Sequence, residues 1–282
     1  MEDSYIMKKH LTSKEKVIGY YDENGKFVTQ YIIKPGSLSY RDVNSKNKPK
    51  DADLQNITRA GIVPYYIYNK KVYYEFFIDF NYQQITDAGG KIDYRKDGNN
   101  ILHTAKREYE EESLNVISYS YLDTENVVFL ISLIDNTLII LMKIYKPINL
   151  IRIRDNYRKD YENKVTEELK KAKQNLVSIE NSFLIWITDE ILRELSFEKG
   201  YCSTNIRLPP DDVNFIKTSY VEFLDKIEKE RNEIKLSKKS PKTPPKGYCN
   251  EEILLNGYYP TIYSVIRNIL NAVYRFECSL IE

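Results

Sequence analysis

Histidine and cysteine are scarce in this chain, with two and three residues among 282. Cys202, Cys249 and Cys278 stand alone, without the paired spacing of a zinc site, and two histidines are too few to complete one. The expectation is a reducing compartment, with packed rather than reactive thiols. Long apolar runs are also missing. The longest, Val127–Met142, is interrupted by Ser132, Asp135, Asn136 and Thr137, well short of the ~18 apolar residues of a membrane span. The opening MEDSYIMKKHL has no apolar core of signal-peptide length. Nor is there an excess of one charge: 42 Lys and Arg oppose 41 Asp and Glu, so no global field draws the chain to nucleic acid or membrane. Together these absences predict a cytoplasmic protein. Tyrosine is plentiful, with 25 residues, and the chain is long enough to bury a sizeable core.

Taken in order, residues 1–57 read as an N-terminal extension. Two apolar bursts, Val17–Tyr21 and Phe27–Ile33, flank Asp22-Glu23-Asn24-Gly25, a hairpin signal, and Asp42–Leu54 has linker composition. His10 reads as solvated. Residues 59–69 and 72–80 flank Asn69-Lys70-Lys71 and are rich in aromatic and β-branched side chains, which predicts a second hairpin. Pro64 predicts that its first strand lies at an edge or begins with a bulge. Val127–Ile134 and Thr137–Tyr145, around Asp135-Asn136, predict a third hairpin of central strands. The charged segment 152–175 reads either as a solvated insertion, helical over Val165–Gln174, or as a lid or basic arm facing a substrate. Phe183–Ile187 predicts a strand running into a helix capped at Thr188 or Asp189. From 196 to 282 the composition predicts a C-terminal helical extension. Amphipathic helices over Val213–Ile234 and within Glu251–Cys278 flank a basic proline-bearing loop, Leu236–Gly247. Its lysines 238, 239, 242 and 246 either solubilise a linker or contact phosphates.

The stretch that carries chemistry is 87–117. Gly89-Gly90-Lys91 reads as a tight turn, because glycine takes positive φ without strain. Ile101–Ser113 has helix composition. On such a helix Glu108, Glu111 and Glu112 share an arc of about 100°, with Glu110 pointing the other way. Three carboxylates on one face repel unless a cation neutralises them, and a hard divalent ion such as Mg2+ suits carboxylate oxygens.

The segment resembles the Nudix box, G-x5-E-x7-R-E-U-x-E-E-x-G-U with U apolar. Arg107-Glu108-Tyr109-Glu110-Glu111-Glu112 matches REUxEE, and Gly89-Gly90-Lys91 matches its common lead-in. Three departures mark residues 89–115. The gap from Gly90 to Arg107 is three residues longer than the pattern, placed in Asp93–Asp97. The isolated Glu aligns with Asn99. Leu114 or Asn115 stands where the final Gly belongs.

The resemblance implies an α+β fold, the Nudix-type α/β/α sandwich with a mixed sheet over 58–195, with 152–175 as an insertion. It implies a hydrolase that cleaves a diphosphate linkage in a nucleoside diphosphate derivative with Mg2+ or Mn2+. Glu111 and Glu112 would bind the metal with the Gly89 carbonyl, and Glu108 would bind metal or accept a proton from water. Arg107 would orient Glu108, and Lys91 would reach a phosphate. Glu180, six residues before Trp186, would supply a further carboxylate, with Asp123 and Glu125 as alternatives. The basic segments lean toward a long anionic substrate such as capped RNA, and the tyrosines in 65–82 would either stack a base or fill a half-buried sheet. A different class of reading, favoured by the three departures, is a non-catalytic Nudix-fold module that binds nucleotide, RNA or protein.

Overall fold

The structure is a computed structural model that describes residues 8–11, 15–38, 54–79, 84–170, 181–197, 229 and 261–275. Its frame is one mixed sheet of eleven strands, β1 (Lys8–Leu11), β2 (Lys16–Tyr21), β3 (Phe27–Gly36), β4 (Arg59–Tyr68), β5 (Lys71–Asp79), β6 (Gln84–Thr86), β7 (Ala88–Lys91), β8 (Leu122–Ser132), β9 (Thr137–Ile144), β10 (Asn181–Thr188) and β11 (Thr261–Ile262). The order runs β1-β2-β3-β8-β9-β4-β5-β6-β11, with β7 on β4 and β10 on β5. The β4–β9 and β6–β11 pairs are parallel, the rest antiparallel. Among the described residues four α-helices flank it: α1 (Ile101–Glu112), α2 (Leu150–Lys170), α3 (Asp189–Phe197) and α4 (Ser264–Tyr274).

Alternation along the strands sends side chains to two cores. Val63, Tyr65, Phe76, Ile78 and Ile185 join Leu192 and Leu195 of α3 and Ile266, Ile269 and Val273 of α4 on one face. Ile62, Phe77, Phe129 and Ile140 join Leu102, Ala105 and Tyr109 of α1 and Tyr157 of α2 on the other. Two helical layers thus enclose a mixed sheet, the α+β architecture expected. Burying each such aliphatic side chain contributes roughly 2 kcal/mol.

The three hairpins form where turn residues punctuate the strands. Gly25 takes φ 74° while the Asp22 carboxylate accepts the Asn24 and Lys26 amides. Asn69, Lys70 and Asn136 take φ of 50°, 63° and 49°. The first hairpin continues the main sheet, since β3 pairs with β8.

Two expectations need correction. Pro64 lies in an interior strand, between β9 and β5. Along one side of β4, β7 pairs with Arg59–Ile62 and β5 takes over from Tyr65. Pro64 falls in the gap between these partners, where a missing N–H removes no ladder bond on that side. The charged segment is not solvated all round, either. It opens as part of α2, a 21-residue helix that buries Tyr157, Arg158 and Tyr161. Arg158 stacks on Phe183 at 4.1 Å and pairs with Glu162 at 2.9 Å. At the C-terminal end α4 packs on the core, and the β11 strand just before it joins the sheet. The loops at 42–53 and 236–247, nearly all of the 213–234 helix, Tyr82 and the three cysteines lie outside the described residues. No helix among the described residues is long and apolar enough to cross a membrane.

Candidate active site

The glycines of the lead-in are strand residues, which corrects the expected turn. Gly89 and Gly90 sit in β7 opposite Gly61 and Ala60, and neither has positive φ. Their requirement is space. A Cβ on Gly89 would stand 2.6 Å from the Gly61 Cα, 2.7 Å from an Asp87 oxygen and 2.8 Å from the Ala60 carbonyl. A Cβ on Gly90 would collide with the carboxylate of Glu108. Glu108 therefore lies directly on the β7 backbone, and glycine is what lets helix and strand approach so closely.

Arg59, one strand over, fastens this backbone from the other side. Its guanidinium makes a bidentate pair with buried Asp87, donates to the Gly89 carbonyl at 3.2 Å, and lies 5.3 Å from the Tyr263 ring centre. Burial opposes its charge, but Asp87 more than compensates, so Arg59 is held protonated. Arg59 and Asp87 were not anticipated as part of the site. Two opposite charges 28 residues apart carry no local signal in the sequence.

Helix α1 starts where Asn100 caps it, its side-chain oxygen accepting the Leu102 and His103 amides at 3.0 and 3.4 Å. Asn99 is exposed. Asp97, two residues earlier, is buried and accepts from Arg107 Nε and Nη2, each at 2.8 Å, from Thr104 Oγ1 at 2.9 Å and from the Asp93 amide at 2.9 Å. These bonds, those from Arg107 foremost, hold its carboxyl down to about 2. Asp97 is the acid that anchors Arg107, and counting back a fixed spacing from Arg107 misses it. At the other end Leu114 and Asn115 take φ of 53° and 55°, the left-handed conformation glycine would supply.

Pinned by Asp97, Arg107 reaches Glu108 at 2.8 Å and Glu111 at 3.1 Å through Nη1, and donates to the Lys91 carbonyl at 3.4 Å. Lys96 lies 3.5 Å from Glu111. Burial pushes the half-buried Glu108 carboxyl up; Arg107 opposes this, while Glu111 and Asp97 add to it. Glu112 points along the helix to the start of β10, where its Oε2 accepts the Asn181 amide at 2.7 Å. Glu110 lies on the opposite side, 3.7 Å from Lys106. The Lys91 side chain is exposed.

Glu180 lies outside the described residues, although its neighbour Asn181 reaches Glu112. Asp123 and Glu125 do not join the helix face. Asp123 binds its own loop, at the Glu125 and Asn126 amides, and both acids line a separate open groove of about 400 Å³ with Tyr119 and Tyr145. Among the tyrosines offered for base stacking, Tyr65 and Tyr74 are buried, Tyr66 and Tyr73 half-buried and Tyr68 exposed.

Among the described residues no three His, Cys, Asp or Glu side chains converge tightly enough to hold a metal ion. Arg107, Lys96 and Asn181 draw the carboxylates of α1 to different partners. The donor chemistry nonetheless fits a hard cation. All the oxygens are carboxylate or carbonyl, and Glu108 has its charge only partly compensated where it sits.

No family model and no curated protein matches the chain. Two solved structures align with it, a crystal structure of C. elegans Ap4A hydrolase and a binary complex of C. elegans Ap4A hydrolase. Each is 20% identical with a TM-score of 0.25; they cover 32% and 33% of this chain and 70% and 69% of their own. A likeness this slight bears on neither fold nor activity.

Proposed function

We propose that the chain is a Nudix-type hydrolase that cleaves the diphosphate linkage of a nucleoside diphosphate derivative with the help of Mg2+ or Mn2+. One observation carries this reading: the Glu108 carboxylate is seated on the Gly90 backbone while Arg107, itself pinned by Asp97, holds it at 2.8 Å. A solvated acidic helix face has no need of that arrangement.

Glu111, Glu112 and the Gly89 carbonyl would hold the cation, with Glu108 beside them. The bound ion would supply charge neutralisation of the diphosphate. The protein's own groups do the rest. Glu108, its carboxyl raised by burial, accepts the proton of the attacking water. The water oxygen bonds to phosphorus as the anhydride P–O bond breaks, and the electron pair leaves with the departing phosphate oxygen. Arg107 fixes the direction of the Glu108 lone pair through a charge-assisted bond. Lys91, exposed at the end of β7, meets a phosphate oxygen.

A non-catalytic module binding nucleotide, RNA or protein is the second reading, and the dispersed carboxylates favour it. The test is a panel of nucleoside triphosphates, ADP-ribose, diadenosine polyphosphates, a diphosphoinositol polyphosphate and cap-labelled RNA, assayed with Mg2+ or Mn2+. Metal-dependent release is expected for at least one class, and Glu112→Gln should lower turnover by ~100-fold or more with the fold retained. Silence across the panel, with no metal uptake by calorimetry, decides for the binding module. Release from cap-labelled RNA alone would single out capped RNA as the substrate.

A further inference from the structure

The C-terminal end of α1 is tied to the sheet by a set of neutral groups that the box pattern does not contain. Asn181 is the first residue of β10 and is buried. The ladder with β5 fixes its backbone, and a register shift between Asn181 and Phe183 breaks the regular alternation there. Such irregularities re-aim a side chain. Here the amide of Asn181 donates to Glu112 Oε2 at 2.7 Å. The Tyr157 hydroxyl of α2, also buried, lies 2.9 Å from the Asn181 carbonyl and 3.0 Å from the Glu112 carbonyl, sharing its one proton between them. The Glu112 carbonyl is one of those a helix end leaves without an intrahelical partner. Backbone and side chain of one glutamate are therefore held by two residues from two other elements.

We propose that Asn181, with Tyr157 behind it, is a positioning residue that sets the Glu112 carboxylate for its work in the active site. The inference rests on the hydrolase reading above. A glutamate side chain on a helix terminus samples many rotamers, and ordering it at the moment of binding costs conformational entropy. The Asn181 bond meets that cost in advance. An amide is also suited by its neutrality. It orients the carboxylate without bringing a charge of its own, whereas a lysine at this place would add one. Helix α2 thereby has a function other than that of a lid: it carries Tyr157 to the back of the site.

The test compares wild type with Asn181→Leu, which keeps the size and removes the donor, and with Tyr157→Phe, which removes only the hydroxyl. Each is measured by thermal unfolding, by Mn2+ titration calorimetry without substrate, and by kcat and KM on the substrate found in the panel. At Mn2+ saturation, Asn181→Leu should lose about 10–100-fold in kcat with KM within about twofold, and its Mn2+ affinity should weaken about tenfold. Tyr157→Phe should move the same way by a smaller factor. If Asn181→Leu does not fold, Tyr157→Phe decides. A wild type that binds Mn2+ and hydrolyses, beside folded variants with unchanged kcat and Mn2+ affinity, overturns the positioning role and leaves the hydrolase reading standing. A wild type that does neither overturns both.

Discussion

Two buried carboxylates lie within reach of the same helix and have opposite fates. Asp97, in the loop before α1, receives bonds from Arg107, Thr104 and the Asp93 amide, and its carboxyl is held down to about 2. Glu75, in β5 beneath the helix, is fully buried; among the described residues neither oxygen has a hydrogen-bond partner, and burial alone pushes its carboxyl up to about 8. Its titratable neighbours are the hydroxyls of Tyr109 on α1 and Tyr157 on α2, each raised further by the Glu75 charge. Asp97 is covered but close to the surface, whereas Glu75 is enclosed on every side. Their donors differ as well: a carboxylate supplied with several N–H and O–H bonds stays ionised, and a deeply buried one without them keeps its proton at neutral pH.

The two acids respond to pH in opposite directions. Glu75 is raised above its unfolded value of 4.5, so the folded state keeps a proton that the unfolded state releases. Its contribution to stability is complete below that value and is lost as pH rises toward about 8. Chemical denaturation of Glu75→Gln, which carries no charge at any pH, should therefore be flat across this window where wild type declines by roughly 4 kcal/mol. Parallel profiles would mean that Glu75 is ionised and bonded in the folded protein.

Asp97 should behave in reverse. Its lowered carboxyl contributes stability that is present above 3.8 and lost as pH falls through about 2. Asp97→Asn should abolish that acid limb and cost about 2 kcal/mol at neutral pH. It should also lower kcat about tenfold or more, because Arg107 loses the anchor that directs it at Glu108. An Asp97→Asn protein with wild-type kcat would sever the link between the anchor and the site.

The smallest effect concerns the end of the same helix. Asn115 is exposed with φ of 55°, so Asn115→Gly should gain up to about 1 kcal/mol in denaturant titrations. A loss there would show that the asparagine side chain, and not its backbone, is what the position needs.

Much of this arrangement was legible in the sequence because it is local. Helix α1 follows from composition, its carboxylate face from the helical repeat, and each hairpin from its turn residues. What escaped notice depends on distance or on crowding. The glycines of β7 read as a turn, yet they are extended; Gly90 makes room for the Glu108 carboxylate, 18 residues on, and Gly89 for an Asp87 oxygen and for Gly61 and the Ala60 carbonyl on the neighbouring backbone. A fixed spacing back from Arg107 points to Asn99 and skips Asp97. Glu75 sits among VYYEFFID, where one acid in an apolar strand normally marks a wet face. Helices cover both faces of this sheet, so the acid had nowhere to go.

The single tryptophan occupies the junction of these parts. Trp186 of β10 stands opposite Glu75, is almost wholly buried, and donates its indole N–H to the Leu150 carbonyl at the head of α2 at 3.1 Å. With one such fluorophore in the chain, intrinsic emission at tryptophan wavelengths is a local signal. It reports the seating of α2 on β10, the contact through which Tyr157 reaches Glu112, and a shift in that emission marks the undocking of this helix, even while the far edge of the sheet stays paired.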